Sequence, residues 1–340
     1  MPNTVGPNLS SGVVNQPGNA NMRSPWPGLL HRGYSQTWNF TVERKLPQSL
    51  VTSVAYVGMH AVHLLADVDI NSGYPGSGTP RLPYYALFGR TLPTQMWDGG
   101  LSSNYHSLQV ATRRSFSKGL MLQAAYTFSK SLDYVDDDGS VTPAWNWGPV
   151  FQRNRAVAGF DSTHVLQVGW VYELPFGRGK LMAQSGVAAA ILGNWQVNGV
   201  MAAYTGVPFT VSAPGTSLNA PDNIQTANQV KTDVTRIGNA GPGQFYYDPS
   251  AFAPVTAIAA FGTSGRNILR APGVWNTDLD ITREFPINER VRLQFRGEFF
   301  NMPNTSHFGA PSTSVTSGTF MQITSATGER QIRFGFRARW

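Results

Sequence analysis

The feature that most constrains this chain is the alternation of side chains in its last eleven residues, RQIRFGFRARW. From Ile332 to Trp340 every second residue is apolar or aromatic, and arginine fills three of the positions between them. Successive side chains of a β-strand point to opposite faces. The pattern therefore predicts a terminal strand with one apolar face and one cationic face.

The same period of two recurs upstream, which predicts an all-β protein. It is clear in GLMLQAAYTFSK, HVLQVGWVYELP, NTDLDITREF and RVRLQFRGEFF, and weaker around residues 38–42, 50–58, 108–116 and 195–205. We expect about nine strands of roughly ten residues, the length that a tilted strand needs to cross a bilayer.

The connections between these segments differ systematically in length. Short turns are predicted at residues 46–49, 117–118 and 286–289, and long Gly- and Pro-rich connections at 59–104, 131–162, 206–274 and 302–330. The turn at 175–193 is longer than expected but falls on the short-turn side. Short turns at one rim and long loops at the other are typical of an antiparallel outer-membrane barrel, with periplasmic turns and extracellular loops.

The apolar rows are predicted to face lipid, because an arginine facing lipid near the bilayer midplane costs about 2–4 kcal/mol. A soluble β-sandwich is the alternative, since its strands also alternate. The predicted lipid-facing residues are Leu120, Leu122, Tyr126, Phe128, Leu166, Val168, Trp170, Tyr172, Leu279, Ile281, Val291, Leu293, Phe295 and Ile332.

Composition narrows the function classes. Charged residues make up 13% of the chain, about half the usual share in soluble domains. The net charge of +7 is scattered along the chain without a binding motif, so we expect no nucleic-acid partner. The absence of cysteine excludes thiolate metal sites and cysteine nucleophiles. No apolar run is long enough for a spanning helix, and no secretory signal is visible.

No motif predicts catalysis, a cofactor or a metal. The acidic stretch at residues 133–140 fails the EF-hand spacing, and His60 and His63 lack a third ligand. PFGRGK and FGTSGRN lack the spacing of a phosphate-binding loop, and no catalytic triad stands out. Aromatic residues in the long loops are weak candidates for ligand contact, or alternatively pack loop against loop: Trp97, Trp145, Trp147, Tyr246 and Tyr247.

Several longer stretches carry a family resemblance. The chain resembles the barrel of Oar-like TonB-dependent receptors from about Trp26 to Trp340, in several motifs that follow in the right order. The stretches are VAYVGMHAVHLLADVDIN, NYHSLQVATRRSFSKGLMLQAAYTFSKSLD, VYELPFGRGK, GNWQVNGVMAAYTGVPFTV, GRNILRAPGVWNTDLDITREFPI, RVRLQFRGEFFNMPN and RQIRFGFRARW.

The resemblance implies a 22-stranded outer-membrane transporter that is filled by a plug and energised by TonB. The chain departs from that pattern, because a plug, a TonB box and the first strands are not visible in it. We therefore expect an irregular segment at residues 1–33 and, at residues 34–340, a partial barrel holding about the last nine strands. The resemblance also implies that the barrel-assembly machinery recognises the terminal strand through Phe334, Phe336 and Trp340.

Three hypotheses follow from the sequence. The first is the C-terminal barrel region of a TonB-dependent receptor that takes up an unidentified nutrient, in contact with outer-membrane lipid and reaching TonB through an N-terminal region. The second is an outer-membrane surface or adhesion protein without transport activity. The third is a soluble, secreted β-rich binding module.

Overall fold

The period-two segments form one large antiparallel sheet. The computed structural model describes residues 22–25, 31–137, 141–288 and 290–340. Eleven strands pair into the sheet, and nine of them form a continuous meander in which each strand pairs with the next along the chain. The strands are β1 Tyr34–Leu46, β2 Leu50–Asp69, β3 Thr94–Ser117, β4 Leu120–Asp133, β5 His164–Glu173, β6 Trp195–Tyr204, β7 Val274–Pro286, β8 Arg292–Phe300 and β9 Gln331–Arg339.

Strand register aligns the alternating residues of neighbouring strands. Opposite residues of an antiparallel pair project to the same face, so the register shows which rows are continuous. One apolar row runs from β1 to β4 through Phe40, Tyr56, Leu108 and Phe128. A second row runs from β4 to β9 through Leu122, Trp170, Gly199, Leu279, Phe299 and Ile332.

The strands β2 and β3 are longer than the sequence indicates. The predicted connection at 59–104 is wrong, because β2 continues to Asp69 and β3 begins at Thr94. The end of β2 is buried on both faces, as all of residues 66–69 are buried. A strand covered on both sides loses the alternation that reveals a strand with one exposed face, so the pattern could not mark this extension.

The two rims of the sheet differ as the connection lengths predict. The short-turn rim holds the 3₁₀ turn Pro47–Ser49, the two-residue turn between β3 and β4, the connection between β7 and β8, and the connection at 174–194. The last of these contains the helix α2, Gly186–Leu192; the helix α1, Tyr85–Phe88, lies in the opposite, long-loop rim. Among the described residues, no helix is both long and apolar enough to cross a bilayer.

The long-loop rim has a hydrophobic core of its own. The core residues come from the connections after β6 and β8, and the largest are Phe209, Tyr246, Tyr247, Phe252, Phe320 and Met321. The remaining short elements are the 3₁₀ helices Thr79–Arg81, Gly148–Asn154 and Pro249–Ala251, and the strands Met22–Pro25, Ala156–Val157, Pro208–Phe209, Asn228–Gln229, Phe252–Ala253, Leu269–Arg270, His307–Phe308 and Ala326–Thr327.

The two ends of the meander are open. Within the described ranges, β1 pairs only with β2 and β9 only with β8, so the sheet does not close on itself. In the segment predicted to be irregular, 1–33, residues 22–25 form a strand parallel to the start of β3. Residues 1–21 and 26–30 lie outside the described part of the chain.

Candidate functional site

The apolar face of the sheet is exposed over its whole width. Aromatic side chains from the first, middle and last strands have large exposed fractions, 71% for Phe40, 47% for Phe128 and 71% for Phe336. A contiguous apolar surface of this kind marks a contact with a partner or with a membrane. The predicted lipid-facing residues all lie in this face by register, except Val291, which immediately precedes β8. That each of them touches lipid stays a prediction.

The opposite face carries charged residues that pair with each other across neighbouring strands. The Arg296 guanidinium binds the Asp280 carboxylate of β7 and lies 3.0 Å from the Glu298 carboxylate. The Glu284 carboxylate lies 3.7 Å from both the Arg292 and the Arg339 guanidinium groups. The three arginines of the terminal strand, Arg333, Arg337 and Arg339, therefore share a face with these acidic residues.

A groove follows this polar face. Its volume is about 670 Å³, and Glu43, Arg113, Gln123 and Gln167 are among its lining residues. A smaller cavity of about 350 Å³ lies near Asp280 and Arg296 on the same face. Charged and amide side chains therefore line parts of this groove, together with apolar residues such as Val200.

Arginine side chains join the long loops to the strand ends through ion pairs and hydrogen bonds. The Arg266 guanidinium binds the Asp133 carboxylate at the end of β4, and both side chains are buried. The Arg270 guanidinium lies 2.5 Å from the Asp161 carboxylate just before β5. Arg153 donates to the Gly262 and Ser264 carbonyl oxygens at 2.6 and 2.9 Å. These bonds hold the connection after β6 against the connection between β4 and β5.

Two carboxyl groups meet in the loop layer. Burial raises the pKa of Asp69 to about 6, and the neighbouring charge of Asp222 adds to the shift. Burial also raises the pKa of Asp222. The Asn71 and Thr94 backbone N–H groups donate to Asp69 Oδ1 at 2.9 and 2.8 Å, which partly offsets the burial. Asp69 is the last residue of a twenty-residue strand, so this pair lies beyond the bilayer-crossing part.

The structure divides the predicted ligand-contact aromatics into two groups. Trp145, Tyr246 and Tyr247 are buried, with exposed fractions of 0%, 3% and 8%. Tyr246 and Tyr247 pack edge to face in the loop core, and the Arg153 guanidinium lies 4.8 Å from the Trp145 ring centre. This geometry favours the alternative that these rings pack loop against loop. A ligand role for them stays a prediction.

The other two aromatics are more accessible. Trp97 is 37% exposed near the start of β3, and Trp147 is partly exposed and stacks on Phe261 with ring centres 6.1 Å apart. They are separate positions and do not converge on a common pocket in the described cavities. Ligand contact by these two rings also stays a prediction.

Among the described residues, the histidines and the acidic loop residues are not grouped as metal ligands. The His63 imidazole Nδ1 lies 3.2 Å from the Gly99 carbonyl oxygen. In the acidic stretch, Asp133 and Asp136 face Arg266, and residues 138–140 lie outside the described part. Over the described residues, no group of three or more metal-ligating side chains is found.

Sequence reasoning missed the loop arginines and the Asp69–Asp222 pair. Arg266 meets a residue 133 positions away, and Asp69 meets one in a different long connection. Such contacts leave no local spacing or periodicity in a sequence. The sequence offered one indirect indication that these loops are packed. The long connections contain charged and aromatic residues, which a flexible Gly- and Ser-rich linker would lack.

Comparison with known proteins identifies the family. The family model described as "Outer membrane beta barrel domain" matches residues 1–333, whereas no curated protein matches the chain. Similar solved structures are large outer-membrane receptors and transporters, and the chain spans about a third of their length.

Three solved structures illustrate this likeness. The pyoverdine receptor FpvA of Pseudomonas aeruginosa bound to pyoverdine is 13% identical, with a TM-score of 0.47 over 96% of this chain and 32% of that chain. The transporter YddB of Escherichia coli is 6% identical, with a TM-score of 0.48 over 94% and 34%. The ferric-catecholate receptor Fiu of Escherichia coli is 10% identical, with a TM-score of 0.43 over 94% and 30%. By the match of the family model to nearly its whole length, the chain belongs to the outer membrane beta barrel domain family, and its location is the outer membrane.

Proposed function

We propose that this chain is the C-terminal barrel region of an Oar-like TonB-dependent receptor that takes up a nutrient. The observation that carries the proposal is the division of one meander into an exposed apolar face and an ion-paired polar face, with long, packed loops at one rim. The sequence motifs of the Oar-like group support the same assignment.

The direction of the edge strands supports a larger, incomplete barrel. In a nine-strand meander β1 and β9 run in the same direction, both toward the short-turn rim. Joining them directly would create a parallel seam, and an open edge in hydrocarbon leaves backbone groups unpaired. Antiparallel closure therefore requires an odd number of further strands, which gives the even total of bacterial barrels.

The terminal strand is the proposed recognition element for barrel assembly. Phe334 and Phe336 are 67% and 71% exposed, Trp340 is 93% exposed, and one edge of β9 is open among the described residues. Strand addition at such an edge gives affinity through the backbone and specificity through alternate side chains. Partners in this account are outer-membrane lipid, the assembly machinery, a nutrient ligand and, through an N-terminal region, TonB.

The test is a pair of gene deletions. One strain lacks the gene for this chain together with its upstream reading frame, and the other lacks the TonB gene. We expect at least one carbon, nitrogen or iron source on which both strains fail to grow, with growth restored by the intact gene. If the first deletion changes attachment of cells to surfaces and leaves growth on every source unaltered, the adhesion hypothesis replaces transport.

A further inference from the structure

The helix α2 consists of apolar residues and is nevertheless exposed. Its seven residues, GVAAAIL, include no polar side chain, and all but Ala189 are exposed. Val187 is 74% exposed and Ile191 is 59% exposed. A helix that is hydrophobic on every side is expected inside a protein core or in contact with a membrane. Because α2 is not covered by the described residues, its surroundings have to supply the apolar contact.

The position of α2 is fixed against the apolar face of the sheet. Trp195 and Arg283 are opposite residues of β6 and β7, and both project from that face. The Trp195 indole Nε1 donates to the Ile191 carbonyl oxygen at 3.0 Å, and the Arg283 guanidinium donates to the same oxygen at 2.8 Å and to the Ala190 carbonyl oxygen. The last carbonyl groups of a helix lack partners within it, so these two side chains anchor the C-terminal end of α2.

The contacts of Arg283 show how a cation is accommodated on the apolar face near the short-turn rim. Its guanidinium lies 4.4 Å from the Phe285 ring centre and 5.3 Å from the Trp195 ring centre. Arginine stacks on aromatic faces and bonds to oxygen acceptors at the same time. The three side chains form a cationic and aromatic cluster at the short-turn rim, which is the composition of a bilayer interface.

The segment before α2 also has exposed apolar side chains. Leu181 is 84% exposed and Met182 is 51% exposed. Arg178, in the preceding turn, is exposed as well. Lys180 turns the other way and binds the Glu173 carboxylate at 2.5 Å on the polar face. The connection at 174–194 therefore contributes an ion pair on the polar face, and the end of its helix α2 is bonded to side chains of the apolar face.

We propose that α2 and the preceding Leu181 and Met182 form an interfacial anchor that lies in the phospholipid headgroup region of the periplasmic leaflet. The anchor is continuous with the apolar sheet face, and this inference rests on the proposed contact of that face with lipid. Helices of this kind bury their apolar side at the boundary between headgroups and acyl chains. The connection is long for a periplasmic turn because it supplies this anchor.

Fluorescence quenching tests the anchor directly. The chain has no cysteine, so single variants Ile191→Cys, Ile258→Cys and Phe128→Cys each carry one environment-sensitive fluorophore. Ile258 is the matched control, an isoleucine that is 88% exposed in the long-loop layer, and Phe128 reports on the middle of the apolar sheet face. The protein is reconstituted, together with the upstream segment that the proposed function requires for barrel closure, in vesicles of phosphatidylethanolamine and phosphatidylglycerol that contain nitroxide-labelled lipid.

We expect the fluorophore at position 191 to be quenched more strongly by nitroxide near the headgroup than by nitroxide near the acyl-chain end, and position 258 to be unquenched. Quenching at 128 with position 191 as unquenched as 258 would overturn the anchor and leave the lipid-facing sheet intact. No quenching at 128 or 191 would overturn the lipid contact of the sheet and the anchor together.

Discussion

At the scale of single residues, the ion pairs of this protein differ sharply in burial. Arg266 and Asp133 have side chains only 9% and 7% exposed, whereas Arg113 and Glu43 are 67% and 57% exposed and 3.8 Å apart on the polar face. Removing one partner of a buried pair leaves an uncompensated charge, which costs about 3–5 kcal/mol. An exposed pair contributes about 0–1 kcal/mol.

The matched variants Arg266→Ala and Arg113→Ala should therefore behave differently. We expect Arg266→Ala to release the connection after β6 and to accelerate its cleavage under native conditions, while Arg113→Ala leaves the cleavage rate close to that of the unaltered protein. Limited proteolysis, with fragments identified by mass spectrometry, measures both. Equal rates for the two variants would mean that the buried pair does not fasten the loop.

The Asp69 carboxyl makes the loop layer sensitive to pH. Its pKa rises from 3.8 to about 6 on folding, so the folded state holds the proton more tightly than the unfolded state. The stabilisation that the bound proton gives is complete below about pH 4 and is lost as the pH rises through about 6.

Asp69→Asn should reduce this pH dependence, because Asp222 is then the remaining buried carboxyl of the pair. The amide oxygen can still accept the bonds from the Asn71 and Thr94 N–H groups, but the side chain no longer titrates. Hydrogen exchange of those two N–H groups, corrected for the intrinsic pH dependence, should report easier opening at pH 7 than at pH 4 in the unaltered protein and a smaller difference in the variant. If the pH dependence of hydrogen exchange were the same in Asp69→Asn as in the unaltered protein, a group other than Asp69 would be responsible for it.

At the scale of elements, a glycine in β6 allows an aromatic ring of β5 to lie flat on the sheet. A Cβ built at Gly199 would stand 2.2 Å from the Trp170 ring, too close for the ring to keep its place. Gly335 in β9 is the matched control, because a Cβ there meets no atom within 4 Å among the described residues. Forcing an extra group into a packed site costs about 1–3 kcal/mol.

We therefore expect Gly199→Ala to lower the free energy of unfolding by about 1–3 kcal/mol. Gly335→Ala should leave it nearly unchanged. The difference is measured by urea unfolding in detergent micelles, followed through tryptophan fluorescence, which also reports the displaced Trp170 ring. Equal midpoints for the two variants would show that Trp170 can move aside without loss.

The strands could be predicted from the sequence far better than the loops. The strands β4, β5, β7, β8 and β9 each have one apolar and one polar face, so residues such as Leu122 and Gln123 carry the period directly. The ends of β2 and β3 lie where both faces are covered, as at Ala66 and Asp67, and there the period disappears. Helix α2 could not be predicted from the sequence, because seven residues are too few to display a helical repeat.

The candidate site was less predictable than the strands. The loop core joins Tyr246 and Tyr247 to Phe320 and Met321, which lie more than seventy positions along the chain. Aromatic residues in a Gly- and Pro-rich connection suit ligand contact and loop packing equally well from the sequence alone. Only the three-dimensional contacts distinguish the two, and for Trp145, Tyr246 and Tyr247 they favour packing.

At the scale of the whole molecule, the account depends on the orientation of the sheet in the bilayer. The register places Leu122, Ala124, Tyr126 and Phe128 of β4 on one face and Gln123, Ala125 and Thr127 on the other. The first face is continuous with apolar residues of every other strand, and the second with the ion-paired groove. Lipid on the first face and water on the second are the conditions that both the fold and the proposed function require.

The most direct test is a spin-label scan along β4 in the reconstituted protein, with one cysteine at a time at positions 121–128. We predict that collisions with oxygen, which concentrates in lipid, peak at positions 122, 124, 126 and 128. Collisions with a water-soluble nickel chelate should peak at 121, 123, 125 and 127. Loss of this alternation, or even-numbered positions shielded from both reagents as beneath a second protein layer, would contradict the account.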